Sequence, residues 1–252
     1  MDVSNAGQLV NELLALHSYK DADDYASRRD LLVRRLINVA QQAEGRLHET
    51  GAELLAVLDS NDAEARQRAN RALHVLFDVI EGQRVSSGVR LVERALVHRA
   101  FLWKERCIEI IDEFADVDSI PALIEALRRY AGTSEVTDLD TRAAAIRALT
   151  YTFQAKQVKA DVLPYLQDAA ATVRLAAVEY VCELDIAEAG DTLISRLPEE
   201  PDPAVFELSL ECIEMWQRHD ALPACKKLLQ TIPPRLTSFT EPLAATIAAL
   251  SR

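Results

Sequence analysis

Five segments of this chain repeat one helical register. Take Arg66, Lys104, Arg142, Arg174 and Phe206 as position zero. The third residue on is then Ala69, Cys107, Ala145, Ala177 and Ser209, small in every copy. The seventh is Leu73, Ile111, Leu149, Val181 and Ile213, a branched aliphatic in every copy. Between them, at the fourth, stand Asn70, Ile108, Ile146, Val178 and Leu210. Residues three, four and seven apart share one face of an α-helix. The starting points are separated by 38, 38, 32 and 32 residues, a period typical of stacked helical hairpins. A small residue at a fixed ridge position lets a partner helix come close, and the flanking aliphatics fill the groove. One hairpin cannot bury both of its apolar faces, so hairpins of this kind stack.

Each segment reads as the second helix, B, of such a hairpin. The first helices, A, precede it as "GAELLAVL", "VRLVERALVHR", "IPALIEALRRY", "VLPYL" and "DTLISRL". Asp62, Asp138 and Asp202 each stand four residues before position zero, where a carboxylate caps a helix start by accepting from its free N–H groups. Pro203 suits the first helical position. Residues 1–50 read as an N-terminal helical cap, with helices over 8–17 and 28–48; Leu31, Leu32, Leu36, Val39, Ala40, Ala43 and Leu47 form the expected buried stripe of the second. Five hairpins follow over 51–231, and a capping helix within 232–252 comes after Pro233-Pro234, all in one continuous domain. The expectation is an all-α, right-handed α-solenoid. Strand signals, alternating β-branched runs between Asn-Gly or Asp-Gly turns, are nearly absent.

"LPYLQDAAATVRLAAVEYVCEL" resembles a HEAT-type repeat, in particular the short HEAT-like repeat of the phycobilisome-lyase group, and "LLAVLDSNDAEARQRANRAL" is similar. The shared pattern is an A helix ending in Leu, an Asp in the turn, then Val-Arg and two small residues. The resemblance runs over about residues 51–230. It is weaker at 86–114, where Trp103-Lys104 replaces Val-Arg, and Phe206 replaces the Arg of the pattern, which breaks any Arg–Asp ladder there. It implies a fold and leaves function open.

The formal net charge of −12 disfavours a duplex nucleic acid or an anionic bilayer as the main partner. Charge is uneven: Arg84–Arg106 holds six Lys/Arg against two Asp/Glu, whereas Val181–Asp220 holds two against eleven. The basic stretch, with Arg84, Arg90, Arg94, Arg99, Lys104 and Arg106, resembles the basic face of HEAT-like DNA glycosylases, but a solvated, salt-bridged helix is the preferred reading. No apolar run is long enough to span a membrane, and the first residues lack the basic and apolar regions of a secretion signal. With four cysteines and no C-x-x-C pair, reduced thiols and a cytoplasmic location are expected.

Catalytic and metal chemistry find no constellation. Deoxyhypusine hydroxylase, also built of HEAT-like repeats, binds iron through several His-Glu pairs; this chain has one, His48-Glu49, read as a solvated helix end. Cys107 sits at a small core position, and Cys225, beside Pro223, is the expected exposed thiol. No catalytic residue, metal or cofactor is assigned, and a small-molecule ligand is not expected. The positions five, eight and nine residues after position zero leave the apolar stripe and should face solvent or a ligand. In the C-terminal half they become acidic, and Arg147, Tyr151, Glu179, Glu183, Glu211, Glu214 and Met215, with Tyr180 interleaved among them, form the expected surface for a basic, partly apolar segment of another protein. The loop "YAGTSEVTDLD", 130–140, is a second candidate. The reading is a non-catalytic scaffold or adaptor. The resemblance implies an alternative, a bilin-lyase-like enzyme or chaperone handling a chromophore-bearing protein.

Overall fold

The computed structural model describes residues 5–16, 22–42, 44–232 and 234–252, with no strand among them. His17, Ala43 and Pro233, which figured in the expected caps, lie outside the described residues. The chain divides into two compact units, Met1–Arg129 and Tyr130–Arg252. The division falls between the A and B segments of the third expected hairpin.

The first unit contains α1 (Ala6–Leu16), α2 (Ala22–Gln42), α3 (Glu44–Leu58), α4 (Ala63–Gly82), α5 (Val89–Leu96), α6 (Lys104–Phe114) and α7 (Ile120–Arg129). Hairpin α3–α4 packs on α5–α6 through the A helices α3 and α5, and α7 continues that row. The cap helices α1 and α2 lie against α3 and α4. Because α3 begins at Glu44, the expected boundary at residue 50 falls inside a helix, and His48-Glu49 stands within α3 rather than at an end. Leu31 is a further correction: it is 63% exposed, while Leu32, Leu36, Val39 and Ala40 are buried.

The second unit contains α8 (Val136–Arg147), α9 (Lys159–Val162), α10 (Ala171–Glu183), α11 (Gly190–Arg196), α12 (Pro203–Met215), α13 (Leu222–Gln230) and α14 (Thr240–Leu250). The B helices α8, α10 and α12 stack in a row, and α14 closes it against α12 and α13. In both units antiparallel hairpins stack side by side, the all-α solenoid arrangement that the register predicts.

The register is realised in the core. All fifteen residues at positions three, four and seven are buried, among them Ala177, Val178 and Val181 at 1% exposure or less. Position six is buried in every copy as well, as Ala72, Ile110, Ala148, Tyr180 and Cys212. In the second unit α10 lies between α8 and α12, so it is covered on both sides as well as behind, and its apolar arc is wider than a single stripe.

Position zero has a second task. Arg174 Nη1 donates to the carbonyls of Asp168 and Ala169 at 2.8 and 2.9 Å, and Arg66 Nη1 donates to that of Ser60 at 2.6 Å. Both reach back to the turn joining A to B, whose carbonyls no helix satisfies. Arg142, 1% exposed, donates to the carbonyls of Tyr130 and Thr133. It thereby pins the segment expected to be a free loop. Only residues 130–135 are non-helical there, since α8 starts at Val136. Asp138 is consequently buried inside α8 rather than capping it. Asp62 and Asp202 do cap α4 and α12, accepting from the N–H groups two and three residues on.

The B helices end alike. Arg84, Ala115, Gln154, Asp185 and Gln217 all have left-handed backbone, with φ between 44 and 53°, although none is glycine. A 3₁₀ turn then leads into the next A helix in each case, at Ser86–Gly88, Val117–Ser119, Lys156–Val158, Ala187–Ala189 and His219–Ala221. In two copies the seventh-position carbonyl closes the end five residues on: Val181 receives from Ile186 N at 2.8 Å and Ile213 from Arg218 N at 3.1 Å. That is a Schellman closure. After α8 the same bond spans six residues, Leu149 O to Ala155 N at 2.9 Å, because Ala148–Thr152 forms one wide π turn.

Candidate functional site

In the second unit the expected surface positions come from the C-terminal halves of α10 and α12 and from the end of α8 with the turn that follows it. The π turn after α8 carries Tyr151, 53% exposed. Glu179 and Glu183 come from α10, and Glu211, Glu214 and Met215 from α12, with Met215 51% exposed. Glu183 and Glu211 are exposed and Glu179 is half-buried.

Tyr180 is not part of this face. Its side chain is fully buried and its hydroxyl donates to the carbonyl of Ala155 at 2.7 Å. Burial pushes the phenol up to about 12. Two other positions expected to face solvent are also buried, Val75 in α4 and Thr150, whose hydroxyl donates to Ile146 O at 2.8 Å.

The remaining groups are not equally available. Arg147 Nε donates to Glu179 Oε2 at 2.9 Å, so these two charges satisfy each other across neighbouring B helices. Glu214 accepts from the Thr246 hydroxyl of α14 at 3.4 Å. Glu183 and Glu211 have no hydrogen bond or ion pair among the described residues. The surface is therefore less acidic than a count of glutamates suggests, with two unpaired carboxylates between an exposed tyrosine and an exposed methionine. Desolvation raises the Tyr151 phenol above its ordinary range, and Glu179 and Glu183 raise it further.

Beneath these side chains lies a thiol pair. Cys212, buried on α12, hydrogen-bonds to half-buried Cys182 on α10. That bond holds the Cys182 thiol below the usual range and, together with burial, drives Cys212 well above it. Glu183 and Glu211 both oppose ionisation of Cys182. The expected exposed thiol, Cys225, is instead buried in α13, and burial pushes its thiol up. Among the described residues no group of three or more His, Cys, Asp and Glu could hold a metal ion.

In the first unit the basic stretch is largely engaged. Arg90 pairs with Glu93, Asp116 and Asp118, Arg106 with Glu81, Glu109 and Asp78, and Arg84 with Glu113. Lys104 is buried. Arg94 and Arg99 are exposed.

Position six is what a sequence reading of the site misses. Its column, Ala, Ile, Ala, Tyr and Cys, is uncharged in all five copies, and that signal separates Tyr180 from the charged columns beside it. The π turn that presents Tyr151 has no comparable signal.

No protein-family model matches the chain, and no curated protein matches it in sequence. Among solved structures, the complex of CpcE and CpcF of phycocyanin lyase from Nostoc sp. PCC7120 is similar at 17% identity and TM-score 0.39, over 94% of this chain and 93% of that one. A computationally designed armadillo repeat protein for modular peptide recognition is similar at 15% identity and TM-score 0.37, over 96% and 98%. An engineered protein is similar at 14% identity and TM-score 0.46, over 96% and 68%. These neighbours include natural and designed helical-repeat proteins. Among the described residues no helix is long and apolar enough to cross a membrane.

Proposed function

We propose that the chain is a non-catalytic scaffold whose second unit holds a basic, partly apolar segment of another protein. The observation that carries this reading is the pairing of two exposed, unpartnered carboxylates, Glu183 and Glu211, with exposed Tyr151 and Met215 on successive B helices. Charged groups on a rigid array steer and orient a partner of opposite sign. An exposed aromatic and a flexible thioether give area for apolar side chains. Arg147 and Glu179 add no net charge, and their ion pair braces α8 against α10.

The test uses a synthetic peptide alternating Lys or Arg with Leu, and a control with every basic residue changed to Glu. The basic peptide binds the wild-type chain, and its affinity falls as salt rises from about 0.05 to 0.5 M, where the screening length shrinks severalfold. The Glu183→Lys, Glu211→Lys double variant weakens it at least tenfold. Equal binding by wild type and double variant sinks this placement. Affinity capture from the native host, run with both proteins at both salt levels, then identifies the partner.

A further inference from the structure

The first unit contains a cavity of about 600 Å3 lined by Tyr25 and Arg29 of α2, by Arg71, His74, Val75 and Asp78 of α4, and by Trp103 at the start of α6. Its volume lies within the range of small-molecule sites. None of these residues belongs to the acidic face.

The polar groups are unevenly committed. Asp78 is the single carboxylate among the described lining residues, and two arginines and a histidine approach it. Arg29 Nη2 donates to it at 3.2 Å, and His74 Nδ1 and Arg106 Nη2 each approach at 3.7 Å. Arg71 is exposed and has no hydrogen bond or ion pair among the described residues. Among the lining arginines and carboxylates, Arg29 and Arg71 outweigh Asp78 by one positive charge inside a chain of net charge −12. The unused guanidinium is a planar fork that suits one carboxylate held through two parallel bonds.

The walls are aromatic. Trp103 keeps 36% of its surface exposed and meets the His74 ring edge to face at 5.2 Å. It also meets Phe101 edge to face, 6.1 Å away, which packs in turn on Phe77. An indole held by ring contacts and still partly exposed is a surface for a flat ring. Tyr25 lies across the cavity on α2.

We infer that this cavity binds a small planar aromatic carboxylate, its acid on Arg71 and its ring against Trp103. The cavity shares no residue with the acidic face and does not rest on the proposed function.

The probe is 2-naphthoate, with neutral 2-naphthamide as control, titrated into full-length protein labelled with nitrogen-15. The chain has two tryptophans, so the spectrum shows two indole N–H signals, and Trp216→Phe identifies that of Trp103. Naphthoate shifts the Trp103 signal and leaves Trp216 in place, with a dissociation constant at or below about 1 mM for a ligand of this size. Naphthamide binds at least tenfold more weakly. Arg71→Gln weakens naphthoate at least tenfold without weakening naphthamide, and Arg71→Lys, which keeps the charge but not the fork, falls between. Circular dichroism confirms that each variant remains helical. Three results each overturn the inference: no movement of the Trp103 signal at about 10 mM naphthoate, equal binding of acid and amide, or unchanged naphthoate binding in both Arg71 variants.

Discussion

Arg174 grips Glu200 across 26 residues of sequence, Nε to Oε2 at 2.9 Å and Nη2 to Oε1 at 2.5 Å, with both side chains under 5% exposed. One arginine thereby ties the turn of its own hairpin to that of the next. Arg142 repeats the arrangement at the same spacing, with Nη2 3.2 Å from Asp168 Oδ1. Removing one member of a buried pair leaves the other charged and without compensation. Glu200→Ala is therefore expected to destabilise the protein by about 3–5 kcal/mol, measured by urea unfolding. The Arg174→Met, Glu200→Leu double variant recovers only part of this loss, because the carbonyls of Asp168 and Ala169 then lose their donor.

Tyr180 supplies a pH signature. Its phenol ionises at about 12 in the folded protein and near 10 in an unfolded chain. Between those values the unfolded state has already released its proton and the folded state has not, so stability falls as pH rises through this window. The loss is up to about 1.4 kcal/mol per pH unit. Tyr180→Phe lacks this response. At pH 7 it is less stable by about 1 kcal/mol, since the Ala155 carbonyl loses its donor; above pH 10 the difference from wild type shrinks. Parallel denaturant titrations of the two proteins from pH 8 to 11.5 check both signs.

Ala115 closes α6 at φ 49°, a conformation in which a β-carbon is strained and glycine is not. Ala115→Gly is expected to raise stability by about 0.5–1 kcal/mol, opposite to the usual effect of a glycine substitution. The midpoint of thermal unfolding reads it out.

Ala177 is fully buried at the small position of α10. Ala177→Leu adds volume where neighbouring helices leave none and is expected to cost about 1–3 kcal/mol. Ala177→Gly, which removes volume, also destabilises, so stability peaks at the native size. Chemical denaturation of the three proteins tests this.

The sequence made the hairpin register readable because positions three, four and seven obey helix geometry alone. The caps at Asp62 and Asp202 were readable for the same local reason. Asp138 was not, because Arg142 folds the preceding segment back and α8 starts earlier than in its neighbours. Leu31 and Tyr180 escaped a single-helix reading because burial there is decided by what lies beside the helix. The candidate surface was legible at Tyr151, Glu183, Glu211 and Met215, which lie beyond the stacked arc. The pairing of Arg147 with Glu179 was not, since it joins helices 32 residues apart.

One residue more or less in an α-helix rotates everything downstream by about 100°. The segment 148–152 carries such an extra residue, yet Gln154 still turns left-handed and Ala155 still presents its carbonyl to Tyr180. The wide turn works as a length adjuster that absorbs the insertion before it can propagate. The stack therefore counts hairpins and not residues, and a lineage of such chains could gain or lose single residues at helix ends while keeping its neighbours in phase.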